Sequence, residues 1–105
     1  MAGSRKRLNK HDRYVSELCA ELRNSYDVVL PHVVLKPDRK PIGEIDIYAR
    51  KGTKIDLYEV KCSNRRLKAK KQLKKAKRLL ELGDDSDAYF YCGESDKMEE
   101  VSNQQ

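Results

Sequence analysis

Three ionisable residues in the middle of the sequence have types and spacing suited to hydrolytic chemistry. Asp46 lies in one strand-like run, and Glu59 and Lys61 lie in the next run, thirteen residues further on. The dipeptide Lys51-Gly52 predicts a tight turn between the runs, which would fold them into an antiparallel hairpin. Glu59 and Lys61 then share one face of the second strand, about 7 Å apart. The hairpin is therefore expected to bring two carboxylates and a lysine together.

Charged side chains on an otherwise apolar sheet face are costly to bury unless they are paired or bind a metal. Two converging carboxylates suit Mg²⁺, which takes one or two protein carboxylates and keeps several waters; we expect Mn²⁺ to substitute. Such an ion acidifies a water for attack on a phosphodiester. Lys61 would hold that water or stabilise the transition state. The pattern favours a metal-dependent nuclease, and the competing interpretation is a surface ion pair between Glu59 and Lys61.

The elements that position these residues follow an α/β pattern, and 105 residues suffice for one domain. Apolar spacing predicts an amphipathic helix from about Asp12 to Arg23. An extended stretch, the two hairpin strands, a second helix and a last strand are predicted at 28–35, 42–48, 54–61, 65–82 and 87–92. We expect a mixed central sheet with one flanking helix before the hairpin and a basic helix after it. Residues 1–10 are assigned to a basic flexible arm, 11–93 to the domain and 94–105 to a disordered acidic and polar tail.

Positive charge is concentrated next to the predicted site. The net charge is +6, and residues 61–78 hold ten Lys or Arg and no acidic residue, whereas 81–100 hold eight acidic residues against Lys97. Segregation of this kind is typical of a polyanion partner, and nucleic acid is the commonest one. The residues expected to contact substrate phosphates are Arg65, Arg66, Lys68, Lys70 and Lys71. With no base-reading module in the sequence, we expect structure-selective or non-specific cleavage of DNA, and RNA remains an open alternative.

Composition also bounds the partners and the compartment. There is no run of eighteen apolar residues and no signal-peptide pattern, so no membrane association is expected. Cys19, Cys62 and Cys92 lack CxxC spacing, which argues against a zinc site and for a reducing, cytoplasmic or nucleoid-associated location. His11 and His32 lie in no recognisable motif and are interpreted as ordinary surface or loop histidines. Only 38% of residues are apolar, and this modest core favours a homodimer.

Two segments together resemble a known nuclease superfamily. Gly43-Glu44-Ile45-Asp46-Ile47-Tyr48-Ala49 followed by Glu59-Val60-Lys61 is similar to the PD-(D/E)xK superfamily. The likeness is greatest to archaeal Holliday-junction resolvases and to small bacterial endonuclease-like proteins with a Gly-Glu-Ile-Asp signature. It extends from about His11 to Tyr91. The resemblance implies a restriction-endonuclease-like fold, with Asp46 and Glu59 as metal ligands and Lys61 as the catalytic lysine.

The resemblance also bears on residues outside the hairpin. Relatives often carry a first-helix Glu that completes the metal site; Glu17 is ranked slightly ahead of Glu21 for that role. Many have a Gln in the helix after the lysine, near the scissile phosphate, and Gln72 matches it. The competing interpretation for Glu17 and Gln72 is a solvated helix surface. Glu44 is assigned no catalytic role.

Three functions are therefore weighed. The leading hypothesis is an Mg²⁺-dependent DNA endonuclease, either resembling the junction resolvases in selecting substrate structure or non-specific. The second is a nucleic-acid-binding protein on the same fold that has lost cleavage. The third is a basic structural protein, such as a ribonucleoprotein component, in which the three residues are accidental.

Overall fold

Two helices pack on a five-stranded mixed sheet in the computed structural model, which describes residues 9–36, 38–39 and 43–101. In chain order the elements are α1 (Lys10–Leu22), β1 (Val28–Leu35), β2 (Gly43–Lys51), β3 (Lys54–Lys61), α2 (Arg66–Leu79), β4 (Ala88–Cys92) and β5 (Lys97–Val101). The strands are ordered β1-β2-β3-β4-β5, and only β3 and β4 are parallel among these described neighbours. The predicted α/β class, with a mixed sheet between a first helix and a basic second helix, is confirmed.

The hairpin that carries the three ionisable residues forms as predicted. β2 and β3 are antiparallel, with Lys51 opposite Lys54 beside the turn. Gly52 in that turn has a φ of 61°, a left-handed conformation that glycine adopts without a Cβ clash. The turn therefore fixes the register in which the second strand returns along the first.

Each face of the sheet is covered by one helix, which creates two apolar cores. Period-3.6 spacing puts the apolar residues of each helix on one side, and alternation divides the strand residues between the two faces. The core under α1 contains Val15, Leu18, Cys19, Ile47, Tyr58 and Val60. The core under α2 contains Ala69, Leu73, Ala76, Ile45, Leu57 and Phe90. β3 contributes to both cores, so its charged residues enter an apolar setting.

The ends of the helices have local causes. α1 begins after Asn9, whose side chain accepts a 2.7 Å hydrogen bond from the Asp12 N–H. α2 ends earlier than the sequence indicates, because Glu81 adopts a left-handed φ of 55° and reverses the chain before Gly83. The N–H groups of Glu81 and Leu82 then donate to the carbonyls of Arg78 and Lys77.

The C-terminal segment differs from the predicted tail. Residues 97–101 form β5 and pair with β4 in antiparallel register, so the assignment of this part of 94–105 to disorder is wrong. Its polar composition concealed the strand, which needs only Val101 to enter the core while the backbone completes the ladder. Residues 1–8 of the arm predicted at 1–10, residues 102–105 of the tail, and residues 37 and 40–42 lie outside the described residues. Lys10, at the end of the predicted arm, instead begins α1. Within the described ranges, no helix is long and apolar enough to cross a membrane.

Gly93 lies between α1 and the end of β3, and a substitution there tests how α1 packs on the sheet. A Cβ at Gly93 would overlap the ring of Tyr14, while the Gly93 N–H donates to the Lys61 carbonyl at 2.8 Å. We expect Gly93→Ala to lower the free energy of unfolding by about 1–3 kcal/mol through overpacking, as measured by urea denaturation. Gly83→Ala is the control, because its Cβ would meet only Asp85 at 3.4 Å. Equal stability of the two variants would contradict this packing.

Candidate active site

The backbone ladder between β2 and β3 opens where the ionisable residues lie. Pairing runs from Lys51 opposite Lys54 to Ile47 opposite Tyr58 and stops there. Beyond that point the Val60 N–H donates to Asp46 Oδ2 at 2.9 Å. A buried N–H needs a partner, and here a carboxylate takes the place of a strand carbonyl. Asp46 is thereby fixed against β3.

The side-chain alternation of β2 changes at the same residue. Ile45 packs in the core under α2, whereas Ile47 packs in the core under α1, although residues two apart in a regular strand share a face. The β1–β2 register is unchanged across the break, so neither strand gains a residue. Opposite Asp46, His32 has a left-handed φ of 53°. A local distortion of both strands thus turns the Asp46 side chain toward β3.

Glu59 is the most unusual group at the site. Only 2% of the residue is exposed, and its Oε2 lies 3.3 Å from Lys61 Nζ. Its Oε1 is buried and has no hydrogen-bond partner in the described part of the chain. Burial raises the pKa of Glu59 to about 7, and the Asp46 carboxylate adds to the shift against the opposing effect of Lys61.

Asp56, another buried carboxylate on β3, has partners for both of its oxygens. Asp56 accepts hydrogen bonds from the Tyr26 hydroxyl at 2.6 Å and from the Asp87 N–H at 3.0 Å. Lys54 Nζ lies 3.3 Å from its Oδ1. The charge of Asp56 is therefore stabilised within the protein, whereas Glu59 Oε1 has no such partner among the described residues.

Sequence reasoning missed His11. Its Nε2 lies 3.2 Å from Asp46 Oδ2 and 3.0 Å from the Val60 carbonyl oxygen. Burial opposes the charged imidazole, but the Asp46 carboxylate, the Val60 carbonyl and Asp12 together outweigh it and raise the pKa of His11. The signal was present, because His11 precedes Val15 and Leu18 by four and seven residues and so lies on the buried stripe of α1.

In the part of the chain that the structure describes, no hydrogen bond or ion pair links either of the two residues suggested by resemblance to Asp46, Glu59 or Lys61. Glu17 is exposed on α1, and its charge acts on Tyr91 of β4. Gln72 is half-buried on α2, and its Oε1 has no hydrogen-bond partner among the described residues. The structure therefore brings His11, rather than Glu17, to Asp46.

The basic residues after Lys61 surround the first turns of α2. Arg65, Lys68 and Lys71 are exposed and Lys70 is half-buried. Arg66 differs, because its Nε donates a 2.6 Å hydrogen bond to Glu99 of β5. Leu67, also in this turn, is 73% exposed. In the described ranges, four of the five residues predicted to bind phosphate thus have no acidic side chain bonded to them, and their positive charge is not neutralised locally.

A cavity of about 520 Å³ opens beside the strand end that carries Lys61. Cys92, which is paired with Lys61 across β3 and β4, lines it, and Asn64, Arg66 and Lys97 supply polar donors. Glu94 and Glu99 also line the cavity, and Lys61 does not.

The side chains alone do not form a ready-made metal site. Among the residues that the structure describes, no group of three or more His, Cys, Asp or Glu lies close enough to hold an ion. Asp46 and Glu59 can still supply two carboxylates, with backbone oxygen and water completing the coordination of a hard cation.

No protein-family model matches the chain, and no match was found among curated proteins or solved structures.

The raised pKa of Glu59 predicts how the metal-free protein responds to pH. Between about pH 4.5 and 7 the folded state holds a proton that the unfolded chain has released, so stability falls as pH rises through this window. At pH 8 in EDTA, Glu59→Gln should be more stable than wild type by on the order of 3 kcal/mol, since the pKa rises from 4.5 to about 7 and one pKa unit is about 1.4 kcal/mol. The difference should shrink at pH 4.5. Urea titrations measure it, and the exposed Glu94→Gln serves as control; a pH-independent difference would contradict the assignment.

Proposed function

We propose that this protein is a metal-dependent endonuclease that hydrolyses phosphodiester bonds in DNA, built on a restriction-endonuclease-like fold. One observation carries the proposal: among the described residues Oε1 of the buried Glu59 carboxylate has no hydrogen-bond partner, while Oε2 lies 3.3 Å from Lys61 Nζ and the Asp46 carboxylate acts on the charge of Glu59. Buried charges are normally paired or coordinate metals. Asp56 has partners for both of its oxygens, whereas the ion pair with Lys61 engages only one oxygen of Glu59, and a bound cation would engage the other.

The donor chemistry fits Mg²⁺. Asp46 and Glu59 would hold the ion, since Mg²⁺ binds through one or two carboxylates and retains several waters. The bound ion supplies a water acidified for attack and a positive charge opposite the phosphate. Mn²⁺ prefers the same oxygen ligands and is expected to substitute.

The chain's own residues then have distinct tasks. Asp46, fixed by the Val60 N–H, orients one side of the ion-binding site. Lys61 holds its ammonium beside Glu59, where it donates a hydrogen bond to the attacking water or to the phosphate oxygen that gains charge. Both cores exclude bulk water behind the carboxylates, which strengthens these electrostatic interactions.

The basic start of α2 supports nucleic acid as the substrate. Arg65, Lys68 and Lys71 are exposed a few residues after Lys61, so a strand whose phosphate reaches the lysine would also meet these charges. Such contacts give affinity and register without sequence preference. Cleavage selective for structure, including four-way junctions, and a homodimer that matches a two-fold substrate remain part of the proposal.

Cleavage tests the proposal directly. We expect wild type to cut at least one substrate of a DNA panel (duplex, single strand, flap, four-way junction), with RNA counterparts alongside, when Mg²⁺ or Mn²⁺ is present and not in EDTA. Lys61→Met should lower the cleavage rate by about 100-fold or more while binding is retained, as expected for loss of one transition-state donor. Lys51→Ala, an exposed lysine at the far end of the hairpin, is the matched control. Absence of cleavage on every substrate, or equal rates for both variants, would reject the proposal.

A second candidate is DNA binding without cleavage. The absence of a three-side-chain metal group in the described residues favours it. It shares the binding surface but assigns Asp46 and Glu59 no chemical role. The cleavage panel separates the two functions.

Both candidates make the same prediction for salt dependence. Each lysine that contacts a phosphate adds about one unit to the slope of log binding constant against log salt concentration. The Lys68→Ala/Lys71→Ala double variant should therefore reduce that slope by about two, measured by fluorescence anisotropy on a labelled DNA, with Lys51→Ala unchanged. An unaltered slope in the double variant would place the DNA surface elsewhere.

A further inference from the structure

Leu67 is an apolar side chain on the outer face of a basic helix. It is 73% exposed, whereas the other exposed large apolar side chains in the described ranges, Leu30, Val34 and Met98, are 43–47% exposed. At the angular spacing of an α-helix, Leu67 lies about 180° around α2 from Ala76, which the helix buries. Leu67 is therefore turned away from the core under α2.

The surroundings of Leu67 are cationic. It lines a depression of about 390 Å³ together with Lys68, Lys70, Lys71 and Lys74. None of the described residues that line this depression is acidic. A single exposed leucine is ordinary on a protein surface. A leucine that shares a depression with four lysines is suited to a ligand that has both negative charge and an apolar part.

Nucleic acid combines these two properties, because its phosphates match the lysines and the faces of its bases match the leucine. An anionic membrane also carries negative charge, but binding to its surface requires a broad apolar helix face. Leu67 is the one bulky apolar side chain among the described residues of the depression. The composition of this surface therefore favours nucleic acid.

We propose that Leu67 is a wedge that contacts bases at an unpaired or unstacked step, so that the protein prefers DNA with an interrupted base stack over continuous duplex. This inference rests on the nucleic-acid binding that the proposed function includes, and it specifies which DNA the start of α2 selects. Insertion of an apolar side chain into a duplex requires unstacking of a base step. The energy required is least where the base is already unpaired. The lysines contact phosphates in either DNA, so the preference depends on Leu67.

Binding in EDTA tests the inference without relying on cleavage. Fluorescence anisotropy compares a continuous duplex with the same duplex carrying a short unpaired bulge. We expect wild type to bind the bulged DNA about tenfold more tightly and Leu67→Ala to retain at most about a twofold preference, because the alanine cannot reach between bases. Leu67→Met keeps a long apolar side chain and should keep the preference. Leu30→Ala is the matched control, since it removes an exposed leucine from β1.

The leucine and the lysines should have separable effects. Lys68→Ala/Lys71→Ala should lower the salt dependence on both DNAs and keep the preference for the bulge. Leu67→Ala should lose the preference and keep the salt dependence. A 2-aminopurine base beside the bulge supplies a second readout, because unstacking raises its fluorescence. We expect the rise with wild type and Leu67→Met and a much smaller rise with Leu67→Ala, and thermal melting verifies that each variant is folded.

Two kinds of result would overturn the inference. One is the same preference in wild type and Leu67→Ala, or no preference in wild type. The other is unchanged DNA binding by Leu67→Ala together with loss of binding to phosphatidylserine vesicles or of self-association in sedimentation, which would assign the leucine to a membrane or to a second copy of the chain. Metal-dependent cleavage that persists after either result leaves the proposed function standing. A preference that depends on Leu67, without cleavage of any substrate, would support the inference and reject the proposed function.

Discussion

The hydrogen bond from the Val60 N–H to the Asp46 carboxylate determines the form of the hairpin end at which the candidate site lies. A strand amide inside a protein must be satisfied, and here the ladder no longer offers a β2 carbonyl. Asp46 takes that place, and its orientation is set by the backbone of β3 rather than by solvent. The opening of the ladder also exposes the Val60 carbonyl to His11. One departure from regular pairing thus brings a carboxylate, a carbonyl and an imidazole to the same point.

The two helices give this point its electrostatic character. Because α1 covers one face of the sheet and α2 the other, the carboxylates are held between two apolar cores. Low polarity raises the pKa of Glu59, and Lys61 and the Asp46 backbone N–H compensate the charge of Glu59 only in part. A cation would satisfy the unpartnered oxygen and remove the repulsion between Glu59 and Asp46. The unpartnered oxygen of Glu59 and the proposed binding of a metal would then be two aspects of one arrangement.

Charge on α2 is divided by the packing of the helix. The sequence shows ten basic residues among the eighteen residues 61–78, but it does not indicate which of them remain exposed. Lys77 is buried, and its Nζ donates to the Ser86 carbonyl at 2.7 Å, which ties the end of α2 to the following loop. Arg66 is held by Glu99 of β5. Fewer cations than the composition suggests are therefore available to contact a polyanion.

The sequence by itself determined the α/β class, the hairpin and the shared face of Glu59 and Lys61, because these depend on local periodicity and on one glycine turn. Only the tertiary structure decided that His11 meets Asp46, because that contact spans thirty-five residues and depends on how α1 lies across the sheet. It also decided that residues 97–101 form a strand, since the edge of β4 supplies the pairing that their polar composition does not announce. Local pattern fixes which residues share a surface; packing fixes which surfaces meet.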